Sequence, residues 1–434
     1  MKKIISVTLI LLILSLFTGC SFSLDSNDIM FPPKPVGDQA YIQKLISTKS
    51  NGKYQLIYPN NGNIRNSIVA TELSENKKIA VAFYLNENDS KNHIMFLINN
   101  SNTYEVLEDI KTDSTKIDRI TFADIDGDNI KEILIGLTYK TITNTLSIYK
   151  ITDVLEEIPV SCEYTTFITG DFNRNRIDDI LSINLSHNPT SNEASLYTYN
   201  NNEIGFSSSC NIDSDIKKDV NLIYGMIDSS NYGAILDAKN NNNEYTTQII
   251  YFDKLSNSLK NPLYDYQGYS QTRRTTEVFS QDIDKDSIIE IPVCSDLPTL
   301  SEEETSKLIT NADWKNFDTT ELVLVSKKNT ILSLKDGYML TIPDIWQDSI
   351  TAKYDIKNRE MTIYVWEYID GELSSTDPLL TIKTSNIKEN LKPGFIEITR
   401  TNSFVYSYSI PDNDNYLLIT GDEVKNNFAL VSNK

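Results

Sequence analysis

Histidine is almost missing from this chain, whose 434 residues hold only His93 and His187. Cysteine occurs four times and tryptophan three. Each shortage excludes something. No His-Glu-x-x-His pair exists to hold a catalytic zinc, and Cys162, Cys210 and Cys294 lack Cys-x-x-Cys spacing, which removes a zinc or redox centre. Three thiols beyond Cys20 are too few and odd in number for a disulfide framework, so buried free thiols are expected. A Gly-x-Ser-x-Gly elbow, a glycine-rich phosphate loop and the Asp boxes of a sialidase propeller are absent as well. Both histidines fall at expected surface or strand-edge positions. Positive charge is also short: 40 basic residues face 60 acidic ones, a net charge of −20. That balance argues against nucleic acid and against electrostatic docking on anionic lipid.

Long apolar runs are confined to the start. Lys2 and Lys3 precede an apolar core from Ile4 to Phe17, which is short for a membrane span and has the anatomy of a signal peptide. Leu16-Phe17-Thr18-Gly19-Cys20 resembles a bacterial lipobox, although Phe17 is not the usual residue three before the cysteine. The resemblance implies a signal peptide over 1–19, lipidation at Cys20, and placement on the extracytoplasmic face of a bacterial membrane. An ordinary secretory signal is the alternative. Two acyl chains on one cysteine suffice for stable anchoring. Loss of Lys2 and Lys3 would take the charge from −20 to −22. Residues 20–39 contain Pro32, Pro33 and Pro35 and read as a tether.

What is abundant is acidic loops of one pattern. They are Asp124, Asp126, Asp128, Ile130 and Glu132; Asp171, Asn173, Asn175, Ile177 and Asp179; and Asp282, Asp284, Asp286, Ile288 and Glu290. Oxygen side chains occupy loop positions 1, 3, 5 and 9, with isoleucine at 7. Carboxylates so closely spaced repel one another unless a cation joins them. Ca²⁺ takes six to eight oxygens, and alternate residues of a tight loop supply them, position 7 through its backbone carbonyl. The side chain at position 7 is expected to enter the core. The helical EF-hand does not fit, because position 6 is Asn129, Arg176 or Ser287 where that motif needs glycine. The first and third loops carry four carboxylates each and the second only two, so two stronger sites and one weaker are expected.

The loops belong to a longer repeat. Each lies between two strand-like runs and is followed by further strands: Leu146–Ile151 and Ile158–Tyr164 after the first, Leu196–Tyr199 and the run of Ile204, Phe206 and Cys210 after the second. Two degraded copies fall in register, one around Asp228 between Leu222 and Leu236, another between Glu72 and Tyr84. Taking Glu72, Asp124, Asp171, Met226 and Asp282 as equivalent gives steps of 52, 47, 55 and 56 residues. A four-stranded unit repeated at that period is the signature of propeller blades.

The unit resembles the VCBS or FG-GAP repeats of integrin-alpha-like β-propellers. The Phe-Gly and Gly-Ala-Pro elements are missing, position 4 is Gly127 in the first loop but Arg174 and Lys285 in the others, and position 9 is glutamate in two loops. The resemblance implies a mainly β fold, with a propeller over 40–336 of five recognisable blades and up to seven in all. Residues 297–319 read as an insertion in the last blade, with a capping box from Ser301 to Glu304 opening a short helix.

From 337 to 434 the spacing stops and a small α+β domain is expected. Its strands are Ile350–Tyr354, Met361–Trp366, Leu379–Lys383, Phe395–Thr399, Phe404–Ile410 and Tyr416–Ile419, with a turn at Asp370-Gly371. A second capping box, Thr420 to Glu423, opens a terminal helix that turns Val424, Phe428 and Leu430 inward. Together these features imply a membrane-anchored, calcium-stabilised module that binds a protein or glycan, or acts as a scaffold, with no catalytic residues. A polysaccharide hydrolase or lyase using an acidic cleft is the alternative; a buried cluster of carboxylates outside the loops would favour it.

Overall fold

A computed structural model describes residues 37–75, 77–100, 103–139, 143–185, 192–200, 203–265, 271–297, 308–369 and 372–431. Cys20, His187, the capping box at Ser301 and the Asp370-Gly371 turn lie outside them. The chain is mainly β, built from antiparallel sheets. Its described residues divide into two compact units, one formed by 37–58 with 65–113, the other by 59–64 with 114–431.

The first unit opens with a helix, Asp38–Lys49, that the sequence reading had not anticipated. Gly37 enters it at φ 62°, Asp38 sits in the first turn and Lys49 in the last, as the helix dipole favours. Ile42 and Ile46, one turn apart, are its buried residues. They pack on a five-stranded sheet made of Tyr54–Leu56, Ile68–Ser74, Lys77–Asn86, Lys91–Asn100 and Thr103–Thr112. Lys77–Asn86 is central, and Ile79 to Tyr84 is an unbroken buried run, as expected of a strand covered on both faces. The Glu72–Tyr84 copy is thus a real hairpin, with Ser74 pairing Lys77 near its tip.

The second unit holds five sheets in chain order. The second sheet consists of Lys116–Ala123, Glu132–Thr138, Asn144–Ile151, Leu155–Ile158 and Glu163–Tyr164. The third is Thr166–Gly170, Asp179–Asn184, Glu193–Asn200 and Glu203–Asn211; the fourth is Ile216–Met226, Tyr232–Asn240, Tyr245–Asp253 and Ser258–Lys260. The fifth contains Ile291–Ser295, Ile309–Asp318, Val323–Ser333, Tyr338–Thr341 and Phe428–Leu430. The sixth runs Ile350–Asp355, Glu360–Ile369, Glu372–Asn386, Phe404–Ser409, Ile396–Arg400.

Successive sheets share hydrophobic cores. Leu134, Ile148 and Tyr164 of the second pack with Phe167 and Ile180 of the third. Leu181 and Leu196 of the third meet Ala234, Leu236 and Ile250 of the fourth. Ile235 and Ile249 of the fourth meet Ile291 and Phe317 of the fifth. Ile331, Tyr338 and Leu340 of the fifth meet Ile363, Leu380 and Tyr406 of the sixth. Each such fully buried side chain stabilises the fold by roughly 1.5–3 kcal/mol. Two glycines make room for tyrosines, Gly136 within the second sheet and Gly170 between the third and fourth. A Cβ on Gly136 would lie 1.8 Å from the Tyr164 hydroxyl, and one on Gly170 would lie 2.6 Å from the Tyr224 ring.

Several expected elements take another form. The alternating run Ile158–Tyr164 is broken into two strands, because Pro159 cannot donate to the ladder. Part of the presumed insertion, Ile309–Asp318, is a core strand that buries Ala312, Trp314 and Phe317. Tyr338–Thr341 and Phe428–Leu430 belong to the fifth sheet, so the boundary expected at 336 and 337 falls inside it. Tyr416–Ile419 is not a strand, although Leu417 and Ile419 are buried. The terminal helix spans Gly421–Asn427 with both capping-box bonds formed and Val424 buried; beyond it Phe428 is half-buried in the closing strand and Leu430 is exposed.

Candidate metal centres

The three acidic loops share one backbone geometry. In the first, Asp124 accepts from the backbone N–H of Gly127 at 2.8 Å and of Asn129 at 3.0 Å, Asp126 from Asp128 N–H, and Asp128 from Ile130 N–H at 2.7 Å. Asp171 and Asp282 hold the other two loops in the same way, through Asn175 and Arg176 and through Lys285 and Ser287. This winding demands left-handed backbone at positions 4 and 6. Gly127, Arg174 and Lys285 have φ of 79°, 58° and 66°; Asn129, Arg176 and Ser287 have 65°, 72° and 75°. The first loop relieves one such strain with glycine and the others accept it twice.

Position 9 opens the following strand in the first two loops and immediately precedes it in the third, and its carboxylate is buried. Glu132 and Glu290 are fully buried, and Asp179 is 1% exposed. One oxygen of Glu132 accepts from Ile125 N–H at 2.8 Å, and the matching oxygen of Glu290 accepts from Ile283 N–H at 3.0 Å. The second oxygen of each is buried with no hydrogen-bond partner. Burial, reinforced by the neighbouring aspartates and opposed by the backbone bond, pushes Glu132 and Glu290 up from 4.5 to about 7. Asp124, Asp126 and Glu132 bring carboxylate oxygens within 4.8 Å of one another, as do Asp282, Asp284 and Glu290. A buried, orphaned carboxylate oxygen among other carboxylates is the arrangement a hard divalent cation satisfies. The residues present therefore fit calcium at the first and third loops.

The second loop differs. Asp179 is also pushed up to about 7, by burial first. Both its oxygens, however, are engaged: one by the Asn173 side-chain N–H at 3.1 Å, the other by the backbone N–H of Phe172 and Asn173. Its two carboxylates are already served by the loop itself. Arg174 turns away, donating to Asn231 and stacking over the Tyr232 ring. The degraded fourth loop is closed without metal: Asp228 accepts from Ser230, Asn231 and Thr319.

Two lysines that the spacing did not disclose reach the carboxylates of the first and third loops. Lys150 pairs with Asp126 and, at 2.8 Å, with Asp128. Burial works against its charge, but the bonds to the two aspartates outweigh it and raise its pKa. Lys327 pairs with Asp286 at 2.7 Å and with Asp284 at 3.5 Å, and the bond from Lys327 lowers the pKa of Asp286. Lys150 stands across the sheet beside Glu132, since Ile133 pairs with Tyr149. Lys327 comes from a strand whose register no pattern revealed.

The loops also touch one another. Asp178 N–H donates to the Asp124 carbonyl at 2.9 Å, and Ile177 packs where a Cβ on Gly127 would come within 2.8 Å. The Tyr224 hydroxyl donates to the Asp171 carbonyl at 2.8 Å, and Ile289 N–H to the Met226 carbonyl at 2.9 Å. Position 7 side chains are accordingly half-buried rather than in the core, Ile177 lying against the loop before it. Ile125 and Phe172, at position 2, are the core residues.

Other chemistry-bearing residues are held structurally. Asp237 and Arg274 form a fully buried ion pair at 2.8 Å, and Thr247, Thr272 and Ser280 take up their remaining bonds. His93 is buried rather than at the surface, between Asp89 at 3.1 Å and Asp109 at 3.3 Å. Cys162, Cys210 and Cys294 form no disulfide among the described residues, and burial pushes Cys162 up to about 12 and Cys294 to about 11.

No protein-family model matches the chain, and no curated protein does. Among solved structures, an exo-type rhamnogalacturonan lyase aligns at 9% identity with a TM-score of 0.31, over 75% of this chain and 83% of that one. A rhamnogalacturonan lyase of Bacillus licheniformis aligns at 10% identity and 0.32, over 74% of each.

Proposed function

We propose that the protein is a lipid-anchored, extracytoplasmic lipoprotein whose successive sheets are blades of a calcium-stabilised β-propeller, and that it binds or scaffolds rather than catalyses. The observation that carries the calcium reading is the orphaned, buried oxygen of Glu132 and of Glu290 beside two loop aspartates. When bound, the ion would supply positive charge to carboxylates that otherwise repel. Asp124, Asp126, Asp128, the Ile130 carbonyl and Glu132 would hold it in the first loop; Asp282, Asp284, Asp286, the Ile288 carbonyl and Glu290 would hold it in the third. The second loop would bind more weakly, as fewer ligand charges imply. What supports a propeller is the run of antiparallel sheets packed in chain order, with the loops bonded in series. Position-dependent loss of the ligands, complete around Asp228, points to bracing of individual blades.

Thermal unfolding with added calcium tests this reading. Binding to the native state alone stabilises by about 2.7 kcal/mol at a hundred times Kd. The melting temperature rises with calcium in the parent protein and not in an Asp126→Ala, Asp284→Ala double variant. An equal response from both would overturn the reading. The anchor is tested separately: Cys20→Ala moves the protein from the membrane fraction to the soluble one, and retention at the membrane refutes lipidation there.

A further inference from the structure

A cleft of about 620 Å³ opens between the fifth and sixth sheets, away from the carboxylate clusters but in contact with the third loop through one residue. Its volume falls in the range of small-ligand sites, roughly 300–1,000 Å³. Its lining carries both signs of charge, Asp344 and Asp348 beside Lys327 and Lys328. Trp366, half-buried, offers an indole to one side. Trp346 closes the floor, fully buried and fixed by its ring N–H donating to the Leu417 carbonyl at 2.6 Å. Asn311, Asn329 and Gln347 contribute amides, while Lys327 and Lys328 bring positive charge. The side-chain oxygens of Asn311 and Asn329 have no hydrogen-bond partner among the described residues. Both oxygens are shielded from water.

We infer that this cleft binds an oligosaccharide. The inference rests on the binding-module reading and names its partner chemistry. A pyranose ring has one apolar face of C–H groups and a rim of hydroxyls that donate and accept. The apolar face needs an aromatic plate, which Trp366 supplies. The hydroxyls need side chains that can do both, as the amides of Asn311, Asn329 and Gln347 can. The two lysines allow either a neutral sugar or a uronate. Lys328 makes no ion pair among the described residues, whereas Lys327 is shared with Asp286. A neutral sugar leaves that pair intact; a uronate competes for it.

The test is titration of the detergent-solubilised full chain with cellotetraose, chitotetraose and tetragalacturonate, read by calorimetry and tryptophan emission, each in calcium and in chelator. At least one probe binds with Kd below about 1 mM and shifts the emission. Trp366→Ala and Asn329→Ala each weaken that binding ten-fold or more. Should Trp366→Ala fail to fold, Asn329→Ala and Lys328→Ala carry the test. Binding of the neutral probes assigns recognition to hydroxyls, and preference for the uronate assigns it to the lysines as well. Failure of all three probes, or binding that survives both substitutions, overturns the inference. The calcium-dependent rise in melting temperature is recorded in the same samples. Its presence without glycan binding rejects the cleft alone; its absence rejects the calcium reading.

Discussion

Glu132→Gln separates two opposite effects of one carboxylate. The native carboxyl is raised from 4.5 to about 7 by burial. Such a group opposes folding once it ionises: its effect is nil below pH 4.5, grows as pH rises through about 7, and is complete by pH 8. At roughly 1.36 kcal/mol per pKa unit the native glutamate destabilises the metal-free protein by about 3 kcal/mol at pH 8. Glutamine keeps the oxygen that accepts from Ile125 N–H, and its amide N–H can donate to Asp124 or Asp126. In chelator at pH 8 the variant therefore melts a few degrees above the parent protein, and the gap closes as pH falls toward 4.5. In calcium the order reverses, because the site has lost a ligand charge. Melting curves at several pH values in both media read this crossing. A variant that melts lower than the parent in both media, or identically in both, refutes the assignment of Glu132 as a buried cation ligand.

Three further substitutions bear on the same structure. Lys150→Met removes an ammonium that competes with a divalent ion for Asp126 and Asp128; calcium binding to the first loop tightens several-fold by calorimetry, while the chelated protein melts lower. Asn173→Asp adds a carboxylate to the weak second site, so the variant gains calcium-dependent stability and loses stability in chelator, where the new charge faces Asp171 and Asp179. Asp237→Ala leaves Arg274 buried and uncompensated, at a cost of about 3–5 kcal/mol that calcium does not restore, measured by denaturant unfolding.

The β character and most strand positions were legible because alternation and turn spacing act locally. Asn144–Ile151 and Ile350–Asp355 fall within a residue or two of expectation. The loops were legible for the same reason, since every ligand lies within nine residues and the backbone bonds of Asp124, Asp171 and Asp282 close inside the loop. What escaped depends on distance in sequence. Ile309–Asp318 was hidden because its alternation, Ala312, Trp314 and Phe317, is interrupted by Lys315 and Asn316 beside a register shift. Phe428–Leu430 is too short to read as a strand without its partner Tyr338–Leu340, about ninety residues earlier. Lys150 and Lys327 reach the sites through sheet register, and the Asp237–Arg274 pair joins residues 37 apart. The expectation that the second loop binds calcium most weakly rests on charge count; what the sequence did not show is that Asn173 donates to Asp179.

The most direct test is a calorimetric count of calcium sites on the full chain. The account predicts two ions bound more tightly and a third more weakly, with one tight site lost in Asp126→Ala, the other in Asp284→Ala, and both in the double variant. An absence of calcium binding, or a stoichiometry that neither substitution changes, would contradict it.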